Sequence, residues 1–208
     1  MKLYTYIVTH DTGFAPNPFG EYCTLANCTP NHMGIRADAD DWICGFSGKA
    51  DGHRLVYALQ VDERIRQDEY FRDSRFEDKK PADDPPERRC GDNFYELREG
   101  KGWKQHRNHY HNGDEHLKQD TRSPYVFVGK RFWYFGAERI HLPADIRLNV
   151  GGRGVRLSHR ERSVERFVRW LEGNHRPGRH GMPLHFDAGC GQSPKGKKPK
   201  PRSKHPTC

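Results

Sequence analysis

The chain has 208 residues, of which 33% are hydrophobic and 31% are charged, and its formal net charge is +8. This length suits one domain with a sizeable core, and the low apolar share predicts that long polar loops surround that core. No stretch approaches the apolar length of a membrane span and the N-terminus lacks a signal-peptide pattern, which excludes a membrane protein and favours a cytoplasmic one.

Three strands are predicted in the first part of the chain, where β-branched and aromatic residues are dense. They are "KLYTYIV", "DDWICGFSG" and "HRLVYALQVDE". The third has apolar residues on both faces, as a strand buried on both sides does. The apolar spacing of "RIRQDEYFRDSRF" then predicts a helix, and a charged, proline-rich surface loop follows it.

Short strands and polar segments alternate in the second part of the chain. "FYELRE", "YVFVG" and "RFWYFG" are strand candidates, and Gly129 with Lys130 is predicted to form a hairpin turn between the last two. A polar segment of about 25 residues precedes "YVFVG", and this length is typical of a functional or mobile loop. An amphipathic helix is predicted over about 158–174.

The order of strands, helix, strands and helix predicts the α+β class. We expect a small, strongly bent, mostly antiparallel sheet or a small barrel, with flanking helices and long polar loops. Residues 1–190 are predicted to form this single domain, with the helix at about 158–174 as a C-terminal extension. Residues 191–208 are predicted to form a disordered basic tail, because their Pro, Gly and Lys residues bury nothing.

The basic tail suits loose contact with a polyanion, because each Lys or Arg beside a phosphate releases a counterion. Nucleic acid is the favoured polyanion, and a purely solubilising tail is the alternative. The residues expected to contact the DNA backbone are Lys195, Lys197, Lys198 and Lys200.

Cysteine usage and histidine spacing bear on disulfides and metals. The six cysteines lack the framework of a small secreted domain, so we expect reduced, buried thiols. Cys23 and Cys28 with His32 match a zinc site poorly, because no second pair completes four ligands. The stretch around His109 and His111 leaves a metal site open as an alternative, but solvated loop histidines are favoured. We expect no metal and no cofactor.

Two short stretches hold residue types that suit a polar pocket. "THDTGFAPNPFG" places an Asp, an Asn and two Phe in a loop, and its Phe side chains either plug the core or form a pocket wall. In "CGDNFY", Asp92 and Asn93 are typical of a turn. The alternative is a cleft in which the amide reads a base edge and the carboxylate activates water.

The same stretches carry a family resemblance, since the chain resembles the nucleotide modification associated domain 2 family over about residues 1–143. Asp40 departs from the pattern, because the family usually has a Gly there. The residues that carry the resemblance most clearly are Asp11, Gly13 to Phe19, Cys23 to Cys28 and Asp41 to Ile43.

The resemblance implies a bacterial or phage-associated protein tied to modified bases in DNA. The "DDWI" strand and "LVYALQV" also look like parts of the barrel of base-reading PUA and EVE domains, which supports the barrel alternative. Those folds hold a flipped or modified base in an aromatic-lined pocket.

On this resemblance we favour a DNA glycosylase. It would flip and excise a hydroxymethylated or glucosylated cytosine from double-stranded phage DNA, leaving an abasic site in antiviral defence. The alternative is a reader that binds the modified base without chemistry and recruits a partner. The expected catalytic residues are Asp11, Asp92, His111 and Asp120. The expected base-binding residues are Phe14, Asn17, Phe19, Asn93 and Trp103.

Overall fold

The computed structural model describes residues 1–27, 32–122, 125–152, 154–157 and 159–186. The strands there are β1 (Leu3–Ile7), β2 (Cys23–Leu25), β3 (Trp42–Phe46), β4 (Leu55–Gln60), β5 (Glu63–Arg66), β6 (Tyr95–Arg98), β7 (Gly102–Gln105), β8 (Tyr125–Gly129), β9 (Phe132–Tyr134) and β10 (Gly178–Arg179). The α-helices are α1 (Gln67–Arg72), α2 (Asp114–Asp120) and α3 (Glu161–Asn174). Short 3-10 helices span His32–Gly34, Lys49–Asp51, Ser74–Lys79, Pro86–Cys90 and Gly136–Glu138.

The main sheet has the strand order β1-β3-β4-β9-β10. β4 pairs antiparallel with β3 and β9, whereas the outer pairs β1–β3 and β9–β10 are parallel. Successive side chains of a strand point to opposite faces, so Tyr57 and Leu59 enter one hydrophobic cluster and Ala58 enters another. β4 is therefore buried on both faces, as its sequence predicts.

Helix α3 covers one face of the main sheet. Its apolar residues Val164, Phe167 and Leu171 recur at the spacing of an amphipathic helix. They pack in one cluster with Trp42 and Trp133, whose rings stack with their centroids 5.5 Å apart. The helix thus completes the core on this face of the sheet.

A second sheet covers the other face. Its order is β2-β8-β5, and it is antiparallel throughout. Cys23, Leu25 and Phe127 from this sheet pack with Tyr57 and Leu59 of the main sheet. A separate two-stranded ribbon consists of β6 and β7.

These observations confirm the α+β class, but the barrel alternative is wrong, since the described ranges contain three separate sheets and no closed barrel. Closure requires the two edge strands of a sheet to pair with each other. Here β1 and β10 lie at opposite edges, and β10 has only two residues.

The predicted hairpin between "YVFVG" and "RFWYFG" is also wrong. β8 pairs with β2 and β5, whereas β9 pairs with β4 and β10, so the chain changes sheets at this point. A Cβ on Gly129 would overlap the backbone carbonyl of Gln60, which explains why a glycine stands at the crossing. The long polar segment before β8 contains β7 and α2.

Cys23, Cys44 and Cys90 are free and buried, as predicted. Among the described residues, no helix has the length and apolar character needed to cross a membrane. The remaining cysteines and the residues expected to contact the DNA backbone lie outside the described ranges; they are Cys28, Cys190, Cys208, Lys195, Lys197, Lys198 and Lys200.

Phe167→Ala tests whether α3 belongs to the core. Because the Phe167 ring is fully buried, we expect the free energy of unfolding to fall by about 3–5 kcal/mol. Leu157→Ala is the control, since Leu157 is about half exposed and should change stability by less than about 0.5 kcal/mol. Urea denaturation measures both, and equal losses would contradict the packing described here.

Candidate active site

The predicted site residues separate into three places in the fold. Asp11 lies beside a pocket that the loop after β1 helps to line. Asn17, Asp92 and Asn93 lie in a buried polar network. Phe14, Trp103, His111 and Asp120 come together around the ribbon of β6 and β7. The Phe19 ring lies elsewhere, 5.8 Å from that of Phe186.

The pocket beside Asp11 has a volume of about 230 Å³. Its walls come from the loop after β1, from the turn between β3 and β4, and from segments that follow β9 and β10. The polar side chains that line it are Thr9, Asp11, Ser47, Asp51, Arg139 and His185.

Asp11 is held firmly at the pocket wall. The Tyr134 hydroxyl donates to one carboxylate oxygen, and the Leu184 N–H donates to the other at 3.0 Å. The carboxyl is only 6% exposed, so burial raises its pKa, and the hydrogen bonds from Tyr134 and Leu184 oppose that rise. This environment favours the protonated form of Asp11 more than water does.

Asp51 faces the same pocket, and its pKa is shifted in the opposite direction. The Arg139 guanidinium donates to its carboxylate and forms an ion pair with it, which lowers the pKa of Asp51. Ser47 and Arg54 act in the same direction. The pKa values of the two carboxyls that face this pocket are therefore shifted in opposite directions.

The second place is a buried network around Lys79, whose side chain is only 1% exposed. The ammonium donates to the side-chain oxygen of Asn17 at 3.0 Å and to the backbone carbonyls of Asn17, Phe19 and Tyr22. Asn17 in turn donates its amide to the carbonyl of Cys90 at 2.9 Å. These bonds fasten the loop after β1, so the Asn17 amide is used inside the protein.

Asp92 and Asn93 belong to the same network. Thr24 and Tyr70 donate their hydroxyls to Asp92 at 2.8 and 2.7 Å, and the carboxyl is fully buried. Burial raises the pKa of Asp92 to about 6, although the nearby Lys79 ammonium lowers it. The Asn93 amide donates to the carbonyls of Tyr70 and Phe76. Both side chains therefore hold the fold together.

The third place centres on a histidine and an aspartate. Nδ1 of His111 lies 2.5 Å from Oδ2 of Asp120, and the Tyr95 hydroxyl donates to the same oxygen at 2.8 Å. Asp120 is fully buried, whereas the His111 ring is 23% exposed. The other oxygen of Asp120 has no hydrogen-bond partner among the described residues. A buried carboxylate thus orients a partly accessible imidazole.

The surroundings of this pair are ordered and aromatic. Asn108 accepts from the backbone N–H of His111 at 2.7 Å and donates to its carbonyl at 2.6 Å. The Phe14 ring stacks on Tyr110 at 4.6 Å and meets the edge of His111 at 5.0 Å. Trp103 packs against the same cluster. Sequence reasoning thus selected four residues that meet in space.

The sequence did not indicate the pocket residues Asp51, Tyr134, Arg139 and His185. They lie up to 174 positions from Asp11 along the chain, and only the pairing of the strands brings them to it. In the sequence, Asp51 is typical of a turn residue, and Arg139 follows a strand but belongs to no recognisable motif. No local pattern signals either one. In the part of the chain that the structure describes, no three His, Cys, Asp or Glu side chains converge as a metal site would require.

Comparison with known proteins identifies the family. The model of the nucleotide modification associated domain 2 family matches residues 1–189. This range extends past residue 143, where the sequence motifs end, and includes α3. Searches of curated proteins and of solved structures found no match. The chain therefore belongs to this family, whose description links it to nucleotide modification.

The raised pKa of Asp92 predicts how stability depends on pH. The folded state binds this proton more tightly than the unfolded state, whose carboxyl titrates near 3.8. The contribution of Asp92 to the free energy of unfolding should therefore be largest below about pH 4. It should fall by on the order of 3 kcal/mol as the pH rises through about 6. Urea denaturation between these values measures the change.

Asp92→Asn should remove this pH dependence while destabilising the protein, because its amide nitrogen faces a hydroxyl donor. The exposed Asp145→Asn is the control and should keep the wild-type profile. A difference between wild type and Asp92→Asn that stays constant with pH would contradict the prediction.

Proposed function

We propose that this member of the nucleotide modification associated domain 2 family hydrolyses the N-glycosidic bond of a modified base in DNA, at the pocket beside Asp11. The supporting observation is the pair of carboxyls, Asp11 and Asp51, which face one pocket from unlike environments. Hydrolysis of a glycosyl bond needs both a proton donor and an ionised carboxylate, because the sugar becomes cationic in the transition state.

In the proposed reaction the target base leaves the DNA stack and enters the pocket. Asp11 donates its proton to the departing base as the bond between C1′ and the base nitrogen breaks. Asp51, which Arg139 keeps ionised, stabilises the positive sugar and takes a proton from the water that attacks C1′. The products are a free base and an abasic sugar. Asp51 then releases the proton that it took from water to solvent, and Asp11 takes up a proton from solvent, which restores both carboxyls.

The rest of the pocket suits recognition of a polar base. Thr9 and Ser47 carry hydroxyls that donate and accept, and His185 adds an imidazole. The substrate class that we propose is hydroxymethylated or glucosylated cytosine in phage DNA, with antiviral defence as the setting. His111 and Asp120 are not needed for this step.

The aromatic cluster supports a second candidate, a reader of modified bases. Trp103 and Tyr110, which are partly exposed, provide apolar ring surface against the buried Phe14 ring, and His111 provides a polar edge beside them. This combination suits an unstacked base, which binds by stacking and by hydrogen bonds to its edge. In a reader, binding would occur here and no base would be released.

Base release from modified DNA tests the proposal. The protein is incubated with duplexes that carry cytosine, hydroxymethylcytosine or glucosylated hydroxymethylcytosine, and abasic sites are detected by alkaline cleavage. We expect strand breaks with a modified duplex. Asp11→Asn and Asp51→Asn should each slow them by about 10²-fold or more, since each removes one proton-transfer group.

Glu99→Gln is the matched control, because it removes an exposed carboxylate that does not line the pocket and should leave the rate unchanged. Thermal unfolding shows that each variant is folded. Binding to a modified duplex without base release, weakened by Tyr110→Ala, would sink the glycosylase and support the reader.

A further inference from the structure

The charge of the chain is divided sharply along its length. Residues 1–143 carry 21 Lys and Arg against 23 Asp and Glu, whereas residues 144–208 carry 15 against 5. The excess of positive charge therefore belongs entirely to the last third of the chain. Within the described residues, the longest element of this third is α3, whose three Arg and three Glu cancel in net charge but lie on different sides of the helix.

Arginines form a row along α3. Arg162, Arg166 and Arg169 are separated by four and three positions, which places them within an arc of roughly 60° at 100° per residue. Phe167 and Leu171 point the opposite way, into the core. The row spans about 10 Å along the outer surface of the helix, at 1.5 Å per residue.

These guanidinium groups are available to a partner. The Arg162 residue is exposed, and the side chains of Arg166 and Arg169 are 57% and 79% exposed. Their ion pairs are surface pairs, to Asp145 at 3.2 Å and to Glu165 at 4.0 Å, and such pairs contribute little stability. The row is therefore not needed to hold the fold together.

Acidic residues of α3 flank the arginine row on one side only. Glu161, Glu165 and Glu172 lie along one side of the helix, and the other side has no acid in the helix. Gly173 continues the row at its C-terminal end, where a Cβ would meet open space. A glycine inside a helix costs about 1 kcal/mol relative to alanine, and no neighbour in the part of the chain that the structure describes requires it. This end of the row allows close approach from outside.

We propose that the arginine row of α3 is the surface that docks the phosphate backbone of duplex DNA. The inference rests on the proposed function for the identity of the polyanion, and on the charge and geometry of α3 for the location. Each guanidinium that reaches a phosphate releases a counterion, so binding should weaken as salt rises. The acidic side of the helix repels phosphates and sets the side from which the duplex approaches.

Fluorescence anisotropy with an unmodified duplex of about 20 base pairs tests the docking surface, with salt varied between about 50 and 200 mM. In the full chain, the triple variant Arg162→Gln, Arg166→Gln and Arg169→Gln should raise Kd at least about tenfold at the lowest salt. The slope of log Kd against log salt should fall by about 3, one for each lost phosphate contact.

The matched control is the triple variant Lys101→Gln, Lys118→Gln and Lys130→Gln, which removes the same charge from exposed positions before residue 144. It should keep most of the wild-type slope. Glu165→Gln, which removes repulsion beside the row, should tighten binding about two- to threefold, since one surface charge contributes up to about 1 kcal/mol.

Equal loss of slope in the two triple variants, or no binding by the wild type, would overturn the docking surface. This readout is independent of base release. If the arginine variants lose binding while no duplex yields abasic sites, the glycosylase fails and the docking surface stands. If abasic sites form and the arginine variants bind normally, the reverse holds.

Discussion

The buried ammonium of Lys79 holds the loop after β1, on which both candidate centres depend. It donates to three backbone carbonyls and to the Asn17 side chain. Burial lowers the pKa of this lysine, and the nearby Asp92 opposes that shift. Loss of an acceptor would leave the buried ammonium with fewer hydrogen bonds, which is costly in the interior. The network therefore fixes the loop.

This anchored loop contributes to both centres through residues only three positions apart. Asp11 precedes the anchored part and faces the pocket, while Phe14 turns to the aromatic cluster with His111. Between them, the Thr12 carbonyl accepts from the Cys90 thiol and the Tyr110 hydroxyl. A shift of the loop would therefore disturb both centres. The buried hydrogen bonds hold this segment in place although it has no regular secondary structure.

The sequence predicts the elements of the fold better than their arrangement. Strands β1, β3 and β4 follow from the density of β-branched and aromatic residues, and helix α3 follows from the amphipathic spacing of its apolar residues. The placement of β8 and β9 in different sheets does not follow from the sequence, because a glycine and a lysine between two apolar runs are equally typical of a hairpin. For the candidate site, residue type selected Asp11, which faces the pocket, and His111, which lies in the aromatic cluster. It equally selected Asn17 and Asp92, which lie in a buried hydrogen-bonded network, because residue type alone does not reveal burial.

The residues that we assign to catalysis and those that we assign to DNA docking lie in different parts of the chain. The carboxyls that we assign to catalysis lie before residue 144, where acids slightly outnumber bases, and a DNA backbone is not drawn to such a surface by charge alone. We propose that the arginine row of α3, in the last third of the chain, supplies that attraction. Leu184 and His185 from the same third contact Asp11. The residues that we assign to docking and two residues that hold Asp11 therefore lie in one segment of the chain, and the family match covers that segment as far as residue 189.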